Sequence, residues 1–421
     1  MLTLAGKCRV CSRESLRSVV DLGEQYLSGQ FVRPLLEEPV CPPKYPLEMV
    51  RCTGCGLVQL RHTVNPEALF RRYWYRSDIN DTMRCHLQSV AAETLGDART
   101  VLDIGCNDGT LLRSLRGPIE RAVGIDPSDA AKDLVGVYRG FFPQDLPLSE
   151  RDFDRIYSLA CFYDVEQPVR FAESARDCLS PRGVWVIEVA YLVDILQNHA
   201  YDTICHEHLL YFSFESLQDV LERAGLQAFK VRRTKTNGGS ILVQAARYGS
   251  HPVDESVGSL YLEERRFFGD PLHTIQVFQH FAQGIDVRLD ELHSLLWRLH
   301  EEGSRIHVYG ASTKGNVILQ SADVAEFVEC CADRNPQKWG CRTLGTDLPI
   351  ISEEESRKLS PDYYLVLPWA FRDEFVERER SGGIPMIFPL PNVSVWDFDQ
   401  GEQKWQKLNP VRSRPLSSML S

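Results

Sequence analysis

At 421 residues the chain is too long for one ordinary core, and a composition 43 % hydrophobic and 25 % charged is that of a soluble globular protein of two or three domains. A formal net charge of −11 argues against a general nucleic-acid binder, which needs clustered Lys and Arg, yet permits a local basic pocket for a phosphorylated small molecule. No apolar run is long enough to cross a bilayer, and the opening MLTLAGKCRV lacks the apolar region and cleavage site of a signal peptide. The expectation is a cytoplasmic protein with no membrane partner, whose thirteen cysteines serve as metal ligands and buried thiols rather than disulfides.

In chain order, residues 1–65 are rich in Cys and Pro and carry two Cys-x-x-Cys knuckles, Cys8 with Cys11 and Cys52 with Cys55. Four thiolates so arranged suit one tetrahedral zinc, and they leave no open coordination position, so the metal is expected to be structural. A domain this small has little core, which makes a metal a plausible stabiliser. The plainer alternative is two unrelated pairs of buried cysteines. Cys41, between the knuckles, is a weaker substitute ligand.

Residues 66–285 alternate helix-like segments with short apolar strands, TVLDIGC, RAVGIDP, DRIYSLA, GVWVIEVA and SILVQAARY, which predicts a doubly wound α/β sheet. Within it, VLDIGCNDGTLLRSL reads as strand, tight turn and helix start. Gly105 and Gly109 let the backbone turn sharply and approach a ligand closely. Asp126, followed by Pro127, ends the next strand, where a carboxylate can accept from both hydroxyls of a ribose. A nicotinamide dinucleotide and S-adenosylmethionine both fit. The turn, with Asn107 between its glycines, lacks the final glycine that lets a helix N-terminus meet a pyrophosphate. Asp103 and Asp108 would repel a pyrophosphate and suit a cationic ligand, which favours S-adenosylmethionine.

The stretch YDTICHEHLLYFS, residues 201–213, then sets Cys205, His206, Glu207 and His208 side by side. On residue types alone it is a metal clasp, a piece of core or the base of an enzyme. Its spacing is not His-Glu-x-x-His, so it lacks the helical face of a zinc protease. A long helical stretch follows, broken once at GDP. Residues 286–405 return to α/β alternation through RIHVYGAS, EFVECCAD, DYYLVLP and PMIFPLP, and 406–421 form a polar tail, expected to be disordered. RIHVYGASTKGNVILQ, with Gly310, Lys314, Gly315 and Asn316, is either a phosphate-binding turn or an ordinary tight turn with a solvated lysine. Asp333, Lys338, Trp369 and Arg372 lie downstream at strand ends, where such sheets bind ligands.

Taken in order, the double Cys knuckle, YRSDINDTMR, NDGTLL, YDTICHEHLLYFS, NGGS, YGASTKGN, DRNPQKWG and LPWAFRDE resemble the sugar C-methyltransferases that act on TDP-linked keto-deoxysugars, from about Cys8 to about residue 400. The resemblance implies a small zinc-binding N-terminal domain, a class I (Rossmann-like) methyltransferase domain and a C-terminal Rossmann-like α/β domain that helps to hold the nucleotide sugar. It implies S-adenosylmethionine and a structural zinc as cofactors, and a monomer or small homo-oligomer. His208 matches the family's base, which removes the proton alpha to a sugar ketone, with Glu207 and Tyr75 in the same pocket and His206 beside the substrate. Three motifs depart from the pattern: Cys205 stands where a tyrosine is usual, Asp164 where a histidine is usual, and Ile241 and Leu242 follow NGGS where an arginine is common. The expected activity is methylation at carbon, C3 first, of a TDP-linked 4-keto-deoxysugar. Two alternatives stand beside it: reduction of the ketone with NADPH, and a non-catalytic zinc-knuckle binding module on a methyltransferase fold.

Overall fold

The computed structural model describes residues 2–34, 42–379, 383–399 and 404–408; Cys41 and residues 409–421 of the expected tail lie outside them, while 406–408 end a strand rather than start a disordered tail. The chain divides into two units, Met1–Gln30 with Cys41–Ala282, and Phe31–Val40 with Gln283–Ser421.

In the first unit the knuckle segment folds as an antiparallel sheet of β1 (Leu16–Gln25), β2 (Tyr45–Cys52) and β3 (Val58–Leu60). Leu47, Met49, Val50 and Cys52 of β2 are buried. The outer strand beside β3 comes from far along the chain. It is Leu210–Tyr211, pairing Leu210 with Gln59 and Tyr211 with Val58.

A seven-stranded sheet follows, built from β4 (Thr100–Ile104), β5 (Arg121–Asp126), β6 (Val137–Arg139), β7 (Phe153–Leu159), β8 (Leu179–Ala190), β9 (Leu226–Thr234) and β10 (Ser240–Arg247). Its order is β9-β10-β8-β7-β4-β5-β6, with β10 antiparallel to both its neighbours and the strands from β8 to β6 parallel. Central strands covered on both faces read as continuous apolar runs, which is why β4, β7 and β8 are legible as strands. Helix α1 (Asp81–Thr94) starts where the Asn80 side chain accepts from the Met83 amide. Its buried Met83, Leu87, Val90 and Ala91 repeat at helical spacing and pack with Val101, Tyr157, Val186 and Leu242. Helix α2 (Glu255–Phe268) ends at Gly269, whose φ of +61° suits glycine, and Asp270-Pro271 starts α3 (Pro271–Glu301).

The second unit is another α/β sheet, of β11 (Ile306–Tyr309), β12 (Cys330–Asp333), β13 (Ile350–Ser352), β14 (Tyr363–Val366), β15 (Met386–Phe388), β16 (Ser394–Asp399) and β17 (Lys404–Leu408). The order is β13-β12-β11-β14-β15-β16-β17, the first five parallel and the last two antiparallel. Phe31–Val32 pairs with Arg342–Thr343 in this unit. Among the described residues no helix is long and apolar enough to cross a membrane.

Candidate active site and metal centre

The four knuckle sulfurs converge. Cys8 Sγ lies 3.5 Å from Cys55 Sγ and Cys11 Sγ 3.6 Å from Cys52 Sγ, and all four lie within 4.8 Å of one another. Thiolates about 2.3 Å from a tetrahedral zinc stand roughly 3.8 Å apart, so the cage fits that ion. The Gly54 amide points at Cys52 Sγ at 3.3 Å, a donor that would steady a thiolate ligand. Beside the cage, Arg9 ties the first knuckle to β3: its amide donates to Gln59 Oε1 and its guanidinium to the Leu60 carbonyl and Thr63 Oγ1.

The parallel register puts Asp103 opposite Gly124 and Ile104 opposite Ile125, so the glycine turn after β4 faces the end of β5. Gly105 has φ +75°, and a Cβ there would meet Cys161 at 2.9 Å; only glycine fits. Asp126 accepts from the Asn107 amide at 2.9 Å and from the Ser128 amide at 2.8 Å, across Pro127. Three donors, counting the Ser128 hydroxyl, still leave lone-pair capacity on its two oxygens for a ribose hydroxyl. Asp126 therefore shapes the turn as well as facing it. Asp103 is buried beneath, and burial together with Asp126 and Asp108 pushes its carboxyl up to about 8. Gly109 (φ +76°) ends the turn, and Asp108 accepts from the Asp78 amide at 3.0 Å. The same strap is fixed by Asn107, which accepts from the Ser77 amide and donates to the Tyr75 carbonyl at 3.1 Å. Tyr75 is thus held over the turn through its backbone, with its ring 6.4 Å from that of Tyr73. Cation-compatible acidic groups beside a ribose-reading carboxylate fit S-adenosylmethionine.

The second half of the site forms where the turn Phe162–Asp164, after β7, packs on the segment ending in Phe212. The rings of Phe162 and Phe212 stack at 5.5 Å, and Tyr163 meets the His208 imidazole edge-on at 4.6 Å. His208 Nδ1 lies 2.9 Å from the Thr203 carbonyl, which only accepts, so this nitrogen carries the hydrogen. In the neutral ring the lone pair then sits on Nε2. Glu207 is 2 % exposed, and burial pushes its carboxyl up to about 7. The Gly29 amide and Cys205 thiol polarise it, but neither carboxylate oxygen takes a well-formed hydrogen bond. Asp164 is pushed well above the ordinary carboxylate range by burial and then by Glu207, and its Oδ1 is enclosed without a partner. Cys205 is fully buried among these groups. His206 turns the other way: Nε2 lies 3.2 Å from the Tyr45 carbonyl of β2, and burial lowers its ring to about 4, which keeps it neutral.

Sequence reasoning passed over Tyr163 and Thr203, which fix the plane and tautomer of His208. Both lie within the motifs, but no spacing signals a ring contact or a carbonyl partner. It also missed the part-buried pair of His86 and Glu188, 2.8 Å apart, with Glu188 accepting from Thr234 as well.

In the second unit, Asp333 repeats the device of Asp126. It accepts from the Ala311 amide at 2.8 Å and the Asn335 amide at 2.8 Å, and Gly310 (φ +91°) approaches Pro368 too closely for a Cβ. Here, however, Lys338 Nζ fills the space, donating to the Ala311 carbonyl at 2.6 Å and lying 3.4 Å from Asp333. Helix α4 (Thr313–Ser321), which carries Lys314, starts with Ser312 accepting from the Gly315 amide. Asn316 is buried against Leu344 and Thr346. Trp369 is buried, and the Arg372 guanidinium lies 5.1 Å over the Trp396 ring.

Three family models match in sequence: a domain described as zinc-binding over residues 8–70, a methyltransferase domain over 75–231, and a C-methyltransferase C-terminal domain over 235–391. The chain is 29 % identical to the C-methyltransferase NovU of Streptomyces niveus, across 92 % of this chain and 96 % of that protein. It is 25 % identical over 163 residues to a tRNA U34 carboxymethyltransferase of Campylobacter curvus, a match covering 33 % of this chain and 52 % of that one. A solved S-adenosylmethionine-dependent methyltransferase of Mesorhizobium loti aligns with 38 % of this chain and 95 % of its own, at 17 % identity and TM-score 0.30.

Proposed function

From the premise that the chain is an S-adenosylmethionine-dependent C-methyltransferase with a zinc-binding domain, we propose that it methylates carbon, C3 first, beside the ketone of a TDP-linked 4-keto-deoxysugar. The observation that carries this reading is the tautomer of His208: with Nδ1–H donating to Thr203, the basic lone pair of the neutral ring lies on Nε2. A carbon nucleophile needs a C–H bond broken, and a neighbouring ketone makes that accessible by taking the charge as an enolate. His208 Nε2 takes the proton, and the Thr203 carbonyl then supports the imidazolium through Nδ1–H. Tyr163 holds the ring in plane. Asp126 would hold the ribose of S-adenosylmethionine, whose sulfonium would supply the methyl group to the enolate carbon and leave as the neutral thioether. Glu207, Asp164, Cys205 and Tyr75 surround the reacting sugar. Ketone reduction with NADPH is the weaker reading, because the turn from Gly105 to Gly109 lacks the final glycine that lets a helix N-terminus meet a pyrophosphate.

Products from a panel of TDP-4-keto sugars, with S-adenosylmethionine and NADPH supplied separately, should gain one methyl group with the first cofactor and nothing with the second. His208→Asn should keep the fold and cofactor affinity while losing roughly 10²–10⁴-fold in methyl transfer, the usual worth of a general base. It should also stop exchange of the sugar's alpha proton with deuterated water. Wild-type exchange in that variant would remove His208 from the role.

A further inference from the structure

The methyltransferase sheet and the segment that carries His208 are fastened together at one buried carboxylate. Glu264, on α2, is 1 % exposed. Its Oε2 accepts from the Tyr191 hydroxyl at 3.0 Å and the Phe214 amide at 2.6 Å, and its Oε1 from the Glu215 amide at 2.9 Å. Tyr191 follows directly on β8, and Phe214 and Glu215 open the helix Phe214–Arg223, whose cap, Ser213, accepts from the Ser216 amide. The first amides of a helix have no partner within it, so a carboxylate is favoured there by charge as well as by hydrogen bonding. All three neighbours donate, and a side-chain amide of the same shape would turn its own N–H groups on one of them. Only a carboxylate satisfies the whole set.

The same corner gathers the NGGS turn and the approach to the base. The Tyr191 amide donates to the Gly239 carbonyl at 3.1 Å, and Asn198 Nδ2 to the Gly238 carbonyl at 3.2 Å. The Arg233 guanidinium lies over the Tyr191 ring at 5.5 Å and pairs with Asp194 and Glu263. Next to Tyr191, the Leu192 amide donates to the Phe212 carbonyl at 2.9 Å. The Phe212 ring stacks on Phe162, and Tyr163, the residue after it, meets the His208 imidazole. The region matched as a C-methyltransferase C-terminal domain starts at residue 235, and its NGGS turn and α2 both lie in the first unit. We propose that Glu264 is a positioning residue for His208: by fixing Tyr191 and the amides of Phe214 and Glu215 to α2, it sets where Phe212 lies and so the plane and place of the imidazole. Glu264 takes no proton from the substrate and acts through residues 212–214. Its effect on rate rests on His208 as the base; its effect on the ring does not.

The test begins with the ligand-free protein, isotope-labelled at its histidine nitrogens and read by magnetic resonance. The ring N–H that His208 donates to Thr203 is identified by its loss in His208→Asn. Glu264→Gln should shift or broaden that signal, while the ring signal of His307, buried in the second unit against Ser356, stays in place. An unmoved His208 signal overturns the proposal. Should both signals be displaced, as in a failure to fold, Tyr191→Phe decides. It removes one of the three donors and leaves the carboxylate on the helix amides, so the His208 signal should move in the same direction by less, and no movement sinks the idea. The rate is then read with a TDP-4-keto-6-deoxy sugar as probe. A base displaced by about 1 Å can cost on the order of 10²-fold. Methyl transfer in Glu264→Gln should fall toward that extent with S-adenosylmethionine affinity unchanged. A wild-type rate, or a loss matched by an equal loss of cofactor affinity, removes the positioning role. If wild type methylates no such sugar, the substrate reading falls, and the ring signal still decides what Glu264 holds.

Discussion

At the scale of single residues, the site works by placing carboxyl groups where water cannot reach them. Asp103 is the clearest case away from the reacting carbon. Buried, and facing Asp126 and Asp108, it holds its proton up to about pH 8, far above the ordinary aspartate value. A sulfonium cation bound at the turn favours the ionised form, so binding should release protons at pH 7 and affinity should rise with pH until about 8, then level. Calorimetry in buffers of different ionisation heat reads that release directly. Asp103→Asn should abolish it and weaken binding. The same substitution should raise stability at pH 7. The folded state keeps a proton that the unfolded chain has already lost, so the wild type loses stability as pH rises from about 4 to 8, and an amide has no proton to lose. Proton release that persists in Asp103→Asn would assign the linkage to another group.

At the scale of elements, local patterns were legible and distant pairings were not. The knuckles, the Gly105 turn and the break at Gly269-Asp270-Pro271 are written in neighbouring residues, and the apolar strands β4, β7, β8 and β10 announce themselves by composition. Strand β6 is only three residues long, and β9, LQAFKVRRT, mixes charge with apolar side chains, so neither stands out. His206 and His208 look equivalent in the sequence; only the fold sends one to Tyr45 and the other to Thr203. Nothing in the sequence says that Leu210–Tyr211, two residues past His208, completes the knuckle sheet. That pairing makes the metal a neighbour of the chemistry. Cys8 is followed by Arg9, Arg9 clamps β3, and β3 carries Leu210 and Tyr211, with the Leu60 amide donating to Leu209. Removing zinc should therefore raise hydrogen exchange at Val58–Leu60 and at Leu209–Tyr211 together, while the core strands β4 and β7 stay protected. Protection at Leu210 and Tyr211 that survives metal loss would show that the edge pairing stands without the knuckles.

At the scale of the whole molecule, net charge weighs against one class of substrate. Several proteins similar to part of the chain are tRNA U34 carboxymethyltransferases, and a tRNA offers a dense line of phosphates. A protein that grips such a backbone neutralises several phosphates and gains from the counterions released, which requires clustered cations. This chain carries 47 Lys and Arg against 58 Asp and Glu, and many of its arginines are paired with carboxylates, as in Arg233 with Asp194 and Arg357 with Glu379. A nucleotide sugar asks far less, a diphosphate and a base, which one or two cations and a ring can meet. Excess tRNA should therefore leave methyl transfer to a TDP-keto sugar unchanged at about 0.15 M salt, and filter binding should retain no labelled tRNA at that ionic strength. Free TDP, in contrast, should compete with the sugar substrate. Retention of tRNA with an affinity that survives physiological salt would mean that the field of the folded protein, not its sum of charges, governs what it binds.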